Sequence, residues 1–576
     1  MGGAAMNSRQ IVIISGKTCS GKTGLADLLE KEYGFLVVRT RDFLSQQLEL
    51  SPVSADRASL IQQGLEQDQA TSSEWVLEAV RRATVDLRPK GSIVVDHVSS
   101  PAQVHAFRKA FGENLVHIHL WASMATLEQR YARIEGAKAE ATPYSKIDHL
   151  KDDGEIRALK HDADVRINTS RSDARDTLVR VAARLHLFTP PEVRPVDVLI
   201  GGQYGSEGKG NVVAYLAREY DVIVRVGGPN AGHTVASPSG PYTYHHLPSG
   251  SRDVSAKLLL GPGMTINLKG LLKEINECKI GCERLFIDPQ AIIIEDEDIE
   301  AERGRLVGAI ASTGSGSGAA AARRIMRRGD ASVLLAKDIP ELKEFVGSGA
   351  PYRGSTMDRL EEAYRSGRSI LLEGTQGSGL SIFHGIYPYV TSRDTNVAGC
   401  LAEAGISPSR VRKILMVIRP MPIRVGDPDG DEGKTSGPLK HKAEFDDIAK
   451  EAGLDPKELH SAEKTSTTKR KRRVGWFEWE SFRKACALNA PTDIVLTFAD
   501  YLEGENRKAR RFEQLGRETI EFVEELERVA QAPVSLINTR FPREPDGTGD
   551  LRSVIDRRNW TARSHSRVKD GRRKTD

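Results

Sequence analysis

The chain has 576 residues, of which 39% are hydrophobic and 28% charged; this is ordinary for a soluble globular protein, and the length calls for two to four domains. Lys plus Arg number 83 against 79 Asp plus Glu, leaving +4, a balance that gives no ground to expect nucleic acid as a partner. No run approaches the ~18 apolar residues of a membrane span, so neither a membrane nor a spanning helix is expected.

The opening "MGGAAMNSRQ" lacks the apolar core of a signal peptide, so the chain reads as cytoplasmic, with residues 1–8 disordered. Residues 9–187 open on "IVIISGKTCSGKTGLADLLEKEYG" from Ile11: an apolar strand, a glycine turn and a helix. The turn matches G-x-x-x-x-G-K-[ST]. Gly16 and Gly21 let backbone N–H groups face phosphates, Lys22 reaches the β and γ oxygens, and the Thr23 hydroxyl can ligate Mg²⁺. Strand candidates "FLVV", "SIVVDHV" and "LVHIHLWA" alternate with amphipathic stretches, which predicts a parallel sheet covered on both faces. Asp42 and Asp96 follow or end such strands, where Asp96 can hold Mg²⁺ through water and Asp42 can orient an acceptor; either can equally cap a loop. Arg130 and Arg133, three apart on a helix, suit a lid or an exposed basic face.

The segment 188–195 is rich in proline and reads as a linker. From Val196 to Asp556 the same beginning recurs in "VDVLIGGQYGSEGKGNVVAYLAREY". Its turn offers amides and Lys209 to phosphates, and a second glycine loop, "RVGGPNAGHTV", places Asn230, Gly232 and His233 nearby. Strand candidates "DVIVRVGG", "KLLLGPG", "RLFIDP", "SILLEG", "KILMVIRP" and "DIVLTFAD" make this second domain α/β too. The fold class expected is therefore two P-loop-type α/β domains, the first with a parallel sheet. The five cysteines read as reduced, buried thiols, and the basic residues 557–576 as a disordered tail.

"HDADVRINTSRSDARDTLVRVAARL" resembles the closing strand and helix of nucleoside monophosphate kinases and dephospho-CoA kinases. In the second domain "GSEGKG", "STGSGSG", "RRIMRRG", "LLEGTQGSGLSIFHGIYPYVTSRDT", "MPIRVG" and "TSTTKRKRRVGW" resemble, in order, the adenylosuccinate synthetase family, and most closely its phage branch, the 2-aminoadenylosuccinate synthetases. That resemblance implies a C–N ligase that phosphorylates the 6-oxygen of a purine monophosphate, IMP or (d)GMP, with GTP or ATP and Mg²⁺, then lets the amine of aspartate displace the phosphate. It implies that His233, Ser206, Lys209 and Gln376 are catalytic. Gly205, Glu207, Gly208, Gly210 and Thr234 would hold phosphates. Asn230, Ala231, Thr313, Gln376, Thr391 and Arg470 would hold the acceptor nucleotide, with Arg327 reaching the acceptor phosphate of a second subunit in a homodimer. Ser466, Thr467, Thr468, Arg470 and Arg472 would close on aspartate. Asp500 would read the donor base, and the Gly232 carbonyl with Ser206 would meet Mg²⁺.

Three residues depart from the family pattern. Ser206 stands where an aspartate takes the N1 proton, Phe498 where a lysine precedes the base-reading Asp500, and Arg540 where a glycine lies beside the donor base. The first favours a guanine-type acceptor, whose 2-amino group lies next to N1; the second and third make GTP a less secure donor and open the site to ATP or dATP. A nucleotide sensor without turnover, and an enzyme with only its kinase half active, are the alternatives.

Overall fold

A computed structural model describes residues 10–47, 57–84, 91–135, 143–145, 153–236, 240–347, 354–426, 436–463, 471–540 and 553–558. Two compact units meet in sequence between Phe188 and Thr189.

In the first unit, strands β1 (Ile11–Ser15), β2 (Leu36–Val38), β3 (Ile93–Val98), β4 (Leu115–Trp121) and β5 (Val165–Asn168) form one sheet in the order β2-β3-β1-β4-β5. All its pairings are parallel. Residues alternate between its two faces, as a strand's two-residue period requires: Ile11 and Ile13 pack into one apolar cluster, Val12 and Ile14 into the other. Burial on both faces explains why β1 reads as an unbroken apolar run.

The second unit repeats this plan at larger scale. Strands β6 (Val196–Gly201), β7 (Val222–Arg225), β8 (Lys257–Leu260), β9 (Leu285–Ile287), β10 (Ile370–Glu373), β11 (Val411–Ile418), β12 (Asp493–Leu496), β13 (Val534–Asn538) and β14 (Val554–Asp556) run in the order β9-β8-β7-β10-β6-β11-β12-β13-β14. Only β14 is antiparallel to its neighbour. Val196, Val198 and Ile200 face one core and Leu199 the other. The six expected strands are present; β13 and β14 are additions. A small antiparallel sheet of Ile423–Val425, Arg472–Gly475 and Lys442–Ala443 stands apart and carries Arg424 and Arg472.

Two expectations are corrected. Of the cysteines, Cys278, Cys400 and Cys486 are buried, but Cys282 is exposed and Cys19 half-buried, all five without a disulfide. The tail is not wholly unstructured: Arg558 pairs with Glu219 at 2.7 Å and with Asp556 at 2.5 Å, because the antiparallel β14 carries the chain back across the sheet. Residues 1–8 and 559–576 lie outside the described residues. Among the described residues no helix is long and apolar enough to cross a membrane.

Candidate active site

The strand β6 delivers the chain to Gln203–Lys209, and helix Lys209–Leu216 follows. Gly208 is its N-cap, left-handed at φ 79°, and no side chain caps the first turn. The unpaired amides there favour an anion. Gly210 must be glycine for a different reason: a Cβ would come 2.8 Å from the Cβ of His233, so this residue sets how closely the second glycine loop approaches. Glu207 lies beneath the turn, fully buried, and accepts from the N–H of Gln203 at 3.0 Å and of Gly205 at 2.8 Å. It also pairs with Lys209 at 2.7 Å. Glu207 thus shapes the loop and aims Lys209, where the sequence reading had it touch phosphate.

His233 starts the strand His233–Val235 against the same helix. Its Nδ1 is 2.6 Å from Glu373, at the end of β10. Glu373 is fully buried and also takes Arg225 at 2.8 Å, with the Ser249 hydroxyl at 2.5 Å and amide at 2.8 Å. A carboxylate that close requires the proton on Nδ1, since two lone pairs at 2.6 Å would repel. The tautomer therefore leaves the Nε2 lone pair facing outward, and Nε2 is buried with no partner. Burial, with the Arg225 guanidinium adding to it, pushes the imidazole down to about 4. Burial opposes the ionised Glu373, but Arg225, His233 and Ser249 outweigh it and hold its carboxyl at about 2. Neutral histidine on an ionised carboxylate is thus the resting pair.

His233 opens onto a cavity of about 530 Å³ lined also by Gly205, Ser206, Gly208, Lys209, Gly210, Asn230, Ala231, Gly232, Thr234, Thr313, Gln376, Thr391 and Arg472. These are most of the positions singled out in the sequence, drawn together from segments up to 267 residues apart, as between Gly205 and Arg472. Gln376 holds a left-handed φ of 55°, costly for a side chain of its kind, and its Nε2 is buried without a partner. Asn230 Oδ1 is likewise buried and unpartnered. Buried polar atoms without partners are rare in folded proteins; here His233, Gln376 and Asn230 each have one, and all three residues line the same cavity, as do Arg424 and Arg472.

Other expected residues lie elsewhere. Asp500 does not line the cavity: it is buried against Arg507 at 2.9 Å, and burial, against the pull of that arginine, raises its carboxyl to about 6. Arg327 is exposed and pairs with Glu297 at 3.2 Å. Ser466, Thr467, Thr468 and Arg470 lie outside the described residues.

The sequence reading missed Arg225, Glu373, Arg419, Arg424 and Glu463. Arg419 is buried and donates to the Ser206 carbonyl at 3.2 Å and to Glu463 at 2.8 Å. Its guanidinium sits 4.0 Å from the centre of the Phe498 ring, a favourable cation–π contact. Glu463 in turn accepts from Arg472 at 2.7 Å and from the Tyr501 hydroxyl at 2.6 Å. Burial would raise Glu463, but Arg419 and Arg472 hold it at about 2. The Ser206 turn, the Phe498 wall and the start of the basic strand are thereby tied together. Arg424 lies over the Tyr204 ring at 3.9 Å and lines the cavity, with Nε and Nη2 buried and unpartnered. A run of isolated acids and arginines in glycine-rich motifs gave no spacing signal for these pairings; only the fold brings β7 and β10 side by side.

These groups fix how stability responds to acid. Glu373 and Glu463, depressed from 4.5 to about 2, stabilise the fold above pH 4.5 and lose that contribution as pH falls towards 2, about 3 kcal/mol each at ~1.4 kcal/mol per unit. His233, depressed from 6.5 to about 4, loses its contribution between those values. Asp500 at about 6 and Glu403 at about 7, both raised by burial, act in the opposite sense and gain as pH falls from 7. In the first unit His117 and His119, lowered by burial to about 4 and about 3, lose alongside His233 as pH falls below 6.5, so the losses outweigh the gains. Melting temperature is therefore expected to decline gradually from pH 6.5 and steeply below 4.5; a level profile from pH 6.5 down to 4 would contradict these assignments.

In the first unit, helix Lys22–Tyr33 also begins without a side-chain cap, at left-handed Gly21. A cavity of about 1230 Å³ gathers Gly21, Lys22, Thr23, Asp96, Arg130 and Arg133. Asp96 is buried, accepts from the Thr40 N–H at 3.1 Å, and its carboxyl is raised by burial despite Thr40, Lys22 and Arg39. Arg130 is anchored on Thr169, at 2.6 Å to its carbonyl. Gly16 and Asp42 do not line this cavity. Asp42 sits in the first turn of helix Thr40–Gln47, so Thr40 and Arg41 take the position on the cavity wall that Asp42 was expected to hold.

A helix N-terminus, a buried lysine and a carboxylate-held histidine around one cavity suit a ligand that carries phosphate. The family model "Adenylosuccinate synthetase" matches residues 198–339 and 331–507. The adenylosuccinate synthetase of Pyrococcus horikoshii is 35% identical over 372 residues, 63% of this chain and 99% of that one. The chain belongs to the adenylosuccinate synthetase family, and its second unit is a ligase of that type. Among solved structures, the succinoaminodeoxyadenylate synthetase of cyanophage S-2L, bound to dGMP and dATP as an energy donor, is similar at 26% identity and TM-score 0.50, covering 66% of this chain and 98% of its own. Adenylosuccinate synthetase from Plasmodium falciparum, at 20% identity and TM-score 0.51, shares the fold.

Proposed function

We propose that the second unit joins L-aspartate to C6 of a guanine nucleoside monophosphate, dGMP or GMP, giving 2-aminoadenylosuccinate, with ATP or dATP as donor. The observation that carries this reading is that three residues with an unpartnered buried atom, His233 with Nε2, Gln376 with Nε2 and Asn230 with Oδ1, line a cavity that Ser206 also lines. A purine edge with mixed donors and acceptors suits that set. The phage enzyme's dGMP and dATP support the choice of acceptor and donor.

The 6-oxygen attacks the γ-phosphorus as the N1 proton passes to the neutral Nε2 of His233, and the nucleoside diphosphate leaves; the aspartate amine then adds at C6, its proton goes to the departing phosphate, and phosphate leaves. Lys209 and the amides of the Gly208 helix cap neutralise the transferring group. His233 Nε2 takes up a proton as anionic charge builds beside it, stabilised through Nδ1 by Glu373. Ser206 is too weakly acidic to act as a base, so it serves the 2-amino group as an acceptor and leaves it room. No spare carboxylate replaces the missing aspartate among the described lining residues: Glu302 accepts from the N–H groups of Gly316 and Gly318, and Glu463 is held by arginines. Arg424 and Arg472 are suited to the carboxylates of aspartate.

Mg²⁺ fits a set of neutral oxygens. Ser206 and Gly232 line the cavity, and no group of three His, Cys, Asp or Glu among the described residues could hold a metal, so the ion would be carried chiefly on phosphates. When bound, it would neutralise phosphate charge. In the first unit Thr23 and Asp96 offer the corresponding oxygens.

The first unit we read as a nucleotide kinase, and the protein as a homodimer in which Arg327, exposed and outside its own cavity, serves the partner. Lys22→Ala is expected to leave succinylation of dGMP within about twofold of wild type in a coupled phosphate-release assay. Loss of both activities would show that the ligase depends on the first P-loop and would sink the separate-unit reading.

A further inference from the structure

The 1230 Å³ cavity of the first unit is larger than the ~300–1,000 Å³ that one ligand commonly occupies. Part of its wall is the P-loop residues Gly21, Lys22 and Thr23, and part is Leu44, Leu60, Leu65 and Trp75. Trp75 is held flat against Phe43, with ring centres 5.8 Å apart and planes at 22°, and its indole N–H donates to Asp68 at 2.7 Å. A rigid aromatic wall facing aliphatic side chains is a slot for a planar ring.

Asp68 lines the polar end of that slot. Gln103 Nε2 donates to its two oxygens at 2.9 and 3.0 Å. Gln103 has nothing left for a ligand, since its Oε1 accepts from the Ser99 N–H at 2.8 Å. Asp68 differs: a carboxylate offers about four acceptor positions, and besides Trp75 and the one Gln103 nitrogen shared between its oxygens it takes only the distant Ser100 hydroxyl, at 3.5 Å, while it remains half-buried on the cavity wall. A carboxylate so placed accepts N–H groups and repels a ring edge bearing carbonyls. Arg41 and the P-loop Lys22 lie on the same cavity, which gives a ligand's phosphate a cationic setting.

We propose that this part of the cavity takes a purine nucleoside monophosphate with an exocyclic amine, whose N–H groups donate to Asp68. The inference rests on the reading of the first unit as a kinase. An oxygen of the monophosphate attacks the γ-phosphorus of a P-loop-bound triphosphate, the bond to the β-phosphate oxygen breaks, and two nucleoside diphosphates result. With a phosphate dianion as nucleophile no proton need be removed. Asp68 is a specificity residue; Trp75 and Gln103 position it.

The test incubates the full chain with ATP and Mg²⁺, without aspartate, and with dGMP, dAMP, 2-amino-dAMP, dIMP, dCMP or dTMP, and measures diphosphates by chromatography and mass. Lys22→Ala assigns any transfer to this unit. The expected result is Lys22-dependent diphosphate from an amino-purine, with kcat/KM at least ~10-fold above dIMP and both pyrimidines. Asp68→Asn should raise KM for that acceptor about 10-fold, keep kcat within about threefold, and narrow the preference over dIMP; a merely structural Asp68 would lower stability without moving the preference. Equal use of dIMP or pyrimidines, or phosphorylation of a sugar hydroxyl, overturns the inference while the kinase reading stands. The wild-type preference decides this even where Asp68→Asn does not fold. No Lys22-dependent transfer to any acceptor ends both.

Discussion

Replacing His233 by asparagine is expected to lower kcat for succinylation about 10³-fold while leaving KM for the acceptor within a few-fold. Asparagine keeps a donor near Glu373 but removes Nε2, the buried ring nitrogen without a partner on a residue that lines the cavity. General acid–base assistance contributes about 10²- to 10⁴-fold, and a group that acts only as charge develops in the transition state affects kcat before binding. The pair with Glu373 sharpens the expectation. The carboxylate lies 2.6 Å from Nδ1 and is itself held ionised by Arg225, so any positive charge gained at Nε2 is stabilised without rearrangement. Stopped-flow or steady-state phosphate release would report the effect, and a kcat within tenfold of wild type would remove His233 from the chemistry.

The second large effect concerns Ser206. Ser206→Asp is expected to shift acceptor preference from dGMP towards dIMP by about 10²-fold in kcat/KM. The added carboxylate occupies the space beside N1 where the 2-amino group would lie, and it can take the N1 proton of hypoxanthine. A site that must desolvate a polar group without pairing it loses about 1–3 kcal/mol; restoring a positioned base gains a comparable amount for the other acceptor. The backbone is well suited to carry the change, because Arg419 fixes the Ser206 carbonyl rather than its side chain. Competition between the two acceptors, read by mass, measures the ratio directly. An unchanged ratio would mean that Ser206 does not face the base.

The glycine turns at Gly16–Lys22 and Gly205–Lys209 were legible because backbone amides, a lysine and a following helix must sit at fixed spacing around a phosphate. The strands were legible for a related reason: burial on both faces leaves an apolar run such as "IVIIS" or "KILMVI". What stayed hidden was pairing across the sheet. Glu373 reads as one acid ending "ILLE"; its partners Arg225 and Ser249 are 148 and 124 residues away, and nothing local marks them. Asp500 was legible only in part. Its motif implied a base-reading carboxylate, and in the fold one oxygen takes Arg507 while Oδ1 is buried without a partner, with Phe498, stacked on Arg419, on the cavity wall. The strand Val534–Asn538 was missed because a serine interrupts its short apolar run.

The account turns on which base lies beside Ser206. The most direct measurement supplies the purified full chain with aspartate, Mg²⁺ and ATP, and with dGMP, GMP, dIMP and IMP together, then identifies succinylated products by mass. The predicted result is 2-aminoadenylosuccinate, as the deoxyribonucleotide or ribonucleotide, in excess over adenylosuccinate, formed with stoichiometric release of phosphate. Adenylosuccinate as the main product would contradict the guanine assignment, and no succinylated purine from any of the four would contradict the ligase activity itself.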